Sequence, residues 1–398
     1  MNSLNLSKIR ISASSFYFIM GLIFASWASR IPDIKFMLHL SDGDLGKVLF
    51  AIPMGQLFMM LISGYLVNKF GSRITLLFSI AMYAVVLMLI ALSDSFGALF
   101  IVLFLFGIAA NTTNIAVNTQ ACGLEALYQR NIMASFHGLW SLGGFLGGIL
   151  GAVFAQTGYS VFTHFVFVAI VSIIGIVVAG RNLLPNESTA VSTGDKGKKT
   201  AMKLDTTIIL LGLIGFAGMF CEGTMFDWSS VYFATIIKPD ESLIRMGYIA
   251  SMGAMTFGRF IADRFVTRYK APAVLKCCGL LITSGLLLAT AMPNLIVSTI
   301  GFLLVGLGVS SIVPICYSTA GRLNTMAASI AITLVTSISF LGFMIGPPLI
   351  GLMSEVTNLR IALAAASLFG ILIVILAQQF QSGKARIHES QTVGDSCR

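Results

Sequence analysis

A chain of 398 residues that is 57% hydrophobic and only 10% charged, with mean hydropathy +0.91, cannot be a water-soluble domain, because such domains carry about 25% charged residues. Its formal charge of +9 invites a nucleic-acid reading, which the placement of the cations along the chain excludes. The six cysteines, including the adjacent Cys277 and Cys278, lack metal-ligand spacing and read as buried apolar groups.

Runs of about 20 apolar residues cross a bilayer as helices. Twelve are expected, at residues 12–30, 45–67, 74–93, 97–121, 133–157, 160–180, 206–233, 245–266, 272–291, 295–317, 326–351 and 358–380. The class is an all-α membrane protein; continuous apolar runs exclude a barrel of short alternating strands. Lys8 and Arg10 precede the first run as in a signal peptide. The run extends to Ser29 without a small-residue cleavage site, so it reads as a span. Arg30, Lys35, Lys47, Lys238, Arg245 and Arg360 fall on one side and Arg259 lies inside the eighth run. The remaining cations fall on the side of both termini. That asymmetry predicts cytoplasmic termini. The basic excess is topological.

A polar stretch at residues 181–205 separates the two sets of six runs. The expected organisation is a bundle at 1–180, a cytoplasmic linker at 181–205, a second bundle at 206–380 and a cytoplasmic tail at 381–398. The halves are similar. Ser26-Trp27-Ala28-Ser29 is echoed by Asp227-Trp228-Ser229-Ser230, Gly107 and Asn111 by Gly306 and Ser310, and Gly143 and Gly147 by Gly342 and Gly346. Paired membrane halves commonly enclose a site that opens to each side in turn. Aligned on the two tryptophans, the second half has Asp227 against Ser26 and Glu222 against Gly21.

Between the second and third runs stand Gly64, Asn68, Lys69, Gly71 and Arg73, repeated more loosely as Asp263, Arg264 and Arg268. The pattern is a tight two-helix turn with its cations in water, and it resembles the signature of the major facilitator superfamily. Asn68 stands where that signature has an acid. Arg259 and Asp263, one helical turn apart, are expected to pair. In the fifth and eleventh runs, glycines four apart permit close helix approach, and Pro347 and Pro348 after Gly346 free backbone carbonyls and bend the helix. They suit either a pliant seam between bundles or simple tight packing. Further runs, among them Ala25 to Pro32, His137-Gly138-Leu139-Trp140 and Glu222-Gly223, resemble the YbjJ-like branch of the superfamily, distantly similar to fucose permease. The resemblance covers residues 12–380 and implies a proton-driven solute transporter of a bacterial inner membrane.

Fucose permease carries its proton-handling carboxylates in the first and fourth helices, where this chain has none in the core. Glu125, at the end of the fourth run, is expected to pair with Arg130 or Arg73. Glu222 lies within the seventh run, where inserting an ionised carboxylate costs about 2.5–3.5 kcal/mol and is usually functional. It is either the proton carrier or a protonated acid bonding a backbone carbonyl. Asp227 is either a second proton-coupling group or a structural acid that caps a broken helix or pairs with Arg30 or Arg245. Asn111, Asn114 and Asn118 recur at i, i+3 and i+7 and form one polar stripe for solute or for neighbouring helices. His137, with Trp140 one turn on as a candidate solute-binding residue, either relays a proton or binds solute, or else bonds Gln120 or Asn118. Trp27 and Trp228 read as interfacial anchors, gate packing or stacking surfaces for solute. No nucleotide-binding loop, metal cluster or nucleophile–base set is present, so no cofactor and no enzymatic activity are expected.

The expected function is proton-coupled symport of a small polar solute by a monomer in contact with membrane lipids. The alternatives are proton-driven efflux of amphipathic compounds and a non-transporting sensor of the same fold.

Overall fold

A computed structural model describes residues 5–129, 132–185, 206–323 and 328–395; the side chains of residues 61, 134, 263, 328–329 and 381–395 are not among those described. Most of the expected linker, residues 186–205, lies outside them. The described chain is built of helices. In the first half these are α1 (Leu6–Ser29), α2 (Ile31–Met37), α3 (Asp42–Leu49), α4 (Ala51–Phe70), α5 (Ser72–Ile90), α6 (Phe96–Tyr128), α7 (Met133–Gln156) and α8 (Val161–Ala179). The second half holds α9 (Thr206–Tyr232), α10 (Met246–Tyr269), α11 (Ala271–Ala291), α12 (Leu295–Val309), α13 (Ile312–Ala320), α14 (Ala328–Val356) and α15 (Leu359–Asp395). The last runs as helix through most of the expected tail.

Ten helices are individually long and apolar enough to cross a membrane, and an eleventh span, formed by α3 and α4, is bent by 52° between Met60 and Ile62. The twelfth is α10, whose apolar character is diluted by Arg259, Asp263, Arg264 and Arg268. The tenth span is broken at Ser310 and Ser311, between α12 and α13. Twelve spans thus form two six-helix bundles. Large apolar side chains such as Phe78, Ile101, Ile174 and Leu368 remain exposed on the outside, as a lipid solvent permits.

The duplication is visible in the closest helix approaches. A Cβ added to Gly107 would stand 2.1 Å from the carbonyl oxygen of Ile52, and one added to Gly306 would stand 2.1 Å from that of Ser251. Likewise Gly143 meets the carbonyl of Phe18 at 2.2 Å and Gly342 that of Phe216 at 2.0 Å. Backbones this close exclude any side chain at the crossing. Next along the same helices, Gly147 faces Leu22 and Gly346 faces Phe220. This register corrects the one set by the tryptophans. It pairs Glu222 with Phe24, whereas Gly21 is packed against the Trp140 carbonyl at 2.1 Å. The tryptophan alignment had slipped by about one turn, which keeps a helical residue on nearly the same face.

Candidate functional site

The bundles meet along a cleft whose two ends differ. At the end bearing α2 and α3, bonds cross from one bundle to the other. Arg245 Nε donates to the Ser29 carbonyl at 3.1 Å and its Nη2 to Asp33 Oδ2 at 2.5 Å. Arg30 also reaches Asp33, at 3.5 Å, and is itself held by His164 Nδ1 and the Tyr159 carbonyl. The Gly43 amide donates to Glu355 at 2.9 Å, and the Ser354 hydroxyl donates to Asp42, which also pairs with Lys35 at 2.8 Å. Beneath these bonds α3 presses on the α14 backbone, with a Cβ on Gly46 only 2.9 Å from the Pro347 carbonyl. Pro347 and Pro348 therefore lie in a contact between bundles, whereas Gly346 faces Phe220 of its own bundle. Arg30 and Arg245, two expected partners of Asp227, are both committed to Asp33.

At mid-depth the bundles are joined by Arg259 on α10. Its Nη2 donates to Glu222 Oε1 at 3.0 Å, its Nη1 to Ser141 Oγ on α7 at 2.5 Å, and its guanidinium lies 5.7 Å from the Trp140 ring centre. Arg259 thus pairs with Glu222; its expected pairing with Asp263 falls on a side chain outside the described residues. Glu222 and Arg259 side chains are 9% and 17% exposed, so each is the other's main source of charge compensation. A narrow crevice, too tight for a water molecule, runs beside Glu222 and is lined by Met225, Phe226, Ser251 and Met255. The rings of Phe24, Trp140 and Phe226 form a trio with centroids 5.3–6.2 Å apart.

Asp227 is buried without a hydrogen-bond partner among the described residues, and its electrostatic neighbour is Tyr248, whose hydroxyl is also unpartnered. Trp27 and Trp228 are fully buried and their indole nitrogens lack partners among the described residues. That removes the interfacial-anchor reading, because an anchoring indole keeps its N–H at the wet headgroup level.

The asparagine stripe divides. Asn111 accepts from Ser63 of α4 at 3.0 Å, whereas Asn118 accepts from Tyr17 of α1 at 2.6 Å and its amide donates to Asn114. Asn114 is exposed, as is His137, which meets the Tyr17 ring edge-on at 5.5 Å and is an electrostatic neighbour of Arg259. Gln120 and Asn118, the bonding partners expected for His137, bond Ser72 and Tyr17 instead. With the α2–α3 end sealed, the exposure of Asn114 and His137 means that the cleft opens toward the end bearing the termini.

At that open end the signature residues form the α4–α5 turn. Asn68 and Lys69 are exposed, Lys69 lies over the Tyr65 and Phe70 rings, and Arg73 donates to the Gly180 carbonyl at 3.1 Å. A Cβ on Gly64 would meet nothing within 4 Å. Arg264 and Arg268 are exposed, the latter over the Tyr269 ring. Glu125 accepts from the Ile132 and Met133 amides at 2.9 Å each. It caps the start of α7, where unpaired amides and the helix dipole favour an anion; Arg130, one expected partner, lies outside the described residues. The Arg245–Asp33 contact and the aromatic trio were not anticipated. The complementary charges of Arg245 and Asp33, each beside a span end, were the available signal for the first.

A family profile for the Major Facilitator Superfamily matches residues 13–330. An uncharacterized MFS-type transporter of Yersinia pestis is 30% identical, over 93% of this chain and 95% of the relative. A membrane protein of Rhizobium meliloti named MosC is also 30% identical, over 92% of this chain and 89% of its own. In fold, the chain resembles the nucleoside transporter NupG with a TM-score of 0.72 at 14% identity, covering 96% of this chain and 99% of that one. It resembles equally a bacterial homologue of the human lysosomal transporter Spinster, in an inward-facing and occupied conformation, with a TM-score of 0.72 at 14% identity over 94% and 97% of the two chains. With its paired bundles, its central cleft and these relatives, the chain belongs to the Major Facilitator Superfamily and is a multi-pass membrane transporter, not an enzyme.

Proposed function

We propose that the protein carries a small polar solute across a bacterial inner membrane in symport with protons, by alternating exposure of the mid-depth cleft. Glu222 is the proton carrier. Asn111, Asn114, Asn118, His137 and Trp140 orient the solute, and the signature turns with Gly346, Pro347 and Pro348 move with the change of state. Asp227 serves as a secondary proton-coupling group, and Trp27 and Trp228 reach the solute only once the sealed end has opened. Residues 1–180 and 206–380 act as the two moving bodies, both termini are cytoplasmic, and the state described here is open to the cytoplasm.

The observation that carries this reading is the buried pair of Glu222 with Arg259 at the junction of the bundles. A carboxylate can be neutralised by a proton, whereas a guanidinium keeps its charge. Protonation of Glu222 therefore breaks an ion pair that lies beside the bond from Arg259 to Ser141 of the other bundle. Proton occupancy is thereby tied to a contact between the moving bodies. A group with no difference in interaction between two states could not shift them. In proteoliposomes, Glu222→Gln is expected to abolish solute accumulation driven by a pH gradient while sparing solute exchange. Accumulation against a gradient by this variant would refute the assignment.

A further inference from the structure

The charges at the centre of the cleft constrain the solute more closely than polarity alone. Building on the proton-coupled reading, we propose that the solute is a small organic anion whose acidic group binds Arg259 in place of Glu222. The guanidinium of Arg259 carries a positive charge, and in a partly desolvated cleft it needs a counter-charge. In the structure Glu222 supplies it at 3.0 Å. A proton on Glu222 removes that counter-charge, and an anion restores it. An uncharged solute would leave the guanidinium uncompensated, and a cationic one would add a second positive charge beside it.

The surroundings fit an acid with a compact apolar or flat body. The guanidinium fork matches a carboxylate in two parallel hydrogen bonds. The trio of Phe24, Trp140 and Phe226 stands beside it, with Trp140 itself under the guanidinium. Three further titratable groups lie near the pair among the described residues. Tyr317 of α13 is an electrostatic neighbour of Glu222, His137 of α7 is one of Arg259, and Asp227 lies farther along α9 beside Tyr248. Among the described residues, the only cation paired with Glu222 is Arg259.

The cycle balances. From the empty state, one proton bonds a Glu222 oxygen and one solute carboxylate takes the Arg259 hydrogen bonds that Glu222 releases. After the change of state the carboxylate leaves, Glu222 gives its proton to water, and the pair with Arg259 re-forms. One negative charge and one proton move together, so transport is electroneutral. Binding is linked to uptake of one proton, and the apparent Kd for the anion should fall by up to about tenfold per unit decrease in pH.

The test uses the purified full-length protein and matched probes: benzoate, lactate and nicotinate, their amides, and the amines benzylamine and 3-picolylamine. The expected result is protection against thermal unfolding by at least one acid, at least tenfold tighter than by its amide or amine and tighter at pH 5.5 than at pH 7.5. Glu222→Gln should bind that acid without this pH dependence. Arg259→Lys should keep part of the protection. The double variant Glu222→Gln/Arg259→Gln removes the pair without stranding a charge, and should fold yet lose protection by acids. Protection by an amide or amine in preference to the acid overturns the inference, as does failure of all three acids or acid binding undiminished in the double variant. In proteoliposomes, uptake of the protecting acid should not respond to an imposed membrane potential; a response overturns the electroneutral cycle. Proton-driven flux of an uncharged solute would overturn the anion while leaving the proton-coupled reading intact. Acid binding without any flux would do the reverse.

Discussion

Phe24 and Glu222 occupy corresponding places in the two bundles, and they make opposite walls of one cleft. Phe24 joins an aromatic trio with Trp140 and Phe226, while Glu222 is buried against Arg259. The helix crossings around them are nearly superimposable in kind, with glycines meeting carbonyls at 2.2 and 2.0 Å. Duplication therefore preserves the backbone where close approach forbids side chains, and frees the cleft-facing positions to diverge. The protein has used that freedom to place its ion pair at one side only, beside the bond from Arg259 to Ser141 of the other bundle.

Making the halves alike at this place should have the largest effect. Glu222→Phe leaves Arg259 buried without its carboxylate, and breaking such a pair costs about 3–5 kcal/mol. The thermal midpoint should fall sharply and proton-driven uptake should vanish. Adding Arg259→Met should restore most of the midpoint but none of the coupling, because a matched apolar replacement of a buried pair is often neutral. A fully coupled Glu222→Phe protein would show that the asymmetry is incidental.

The conserved side of the comparison can be broken from either half. Gly143→Val and Gly342→Val each push a side chain into a carbonyl of the partner helix, and overpacking of this kind costs typically 1–3 kcal/mol. Equal losses of thermal midpoint are expected. A loss at only one of them would mean that the two crossings carry unequal loads.

The bundles, the spans and the repeat were legible in the sequence because lipid demands long apolar helices and close crossings demand glycine. The pairing of charges was not. A one-turn spacing such as that of Arg259 and Asp263 is visible along a chain, whereas Glu222, which pairs with Arg259, lies on another helix. The same limit applied to Arg245 and Asp33, far apart in sequence yet 2.5 Å apart in space. The tryptophan alignment erred for a related reason: a slip of three residues keeps a helix face nearly unchanged, and only the crossing glycines set the register.

A second contrast, between the sealed and the open ends of the cleft, yields a smaller effect. Arg245 is 1% exposed and anchors Ser29 and Asp33 of the other bundle. Arg245→Gln should weaken that seal and shift the population toward the state open at the α2–α3 end. Spin labels at positions 47 and 238, exposed at that end on opposite bundles, should show a larger fraction of long distances than in the parent protein. An unchanged distance distribution would place the seal in the contact of α3 with α14 instead.

The smallest effect concerns the two signature turns. The α4–α5 turn passes through Gly71 at φ 82 and ψ 153, and the α10–α11 turn through Lys270 at φ 65 and ψ 153. The backbone is the same, but only glycine adopts this conformation without strain; a side chain there costs about 1–3 kcal/mol. Lys270 caps α10 by donating its amide to the Val266 carbonyl at 3.0 Å, and glycine at that position would keep the bond. Lys270→Gly should therefore raise the thermal midpoint by the equivalent of about 1 kcal/mol, reduced by the freedom glycine gains in the unfolded chain. Gly71→Lys, the reciprocal exchange, should lower it by a similar amount. If Lys270→Gly is instead destabilising, the side chain is making contacts that outweigh the strain, and the second turn is held by lysine for a reason the first does not share.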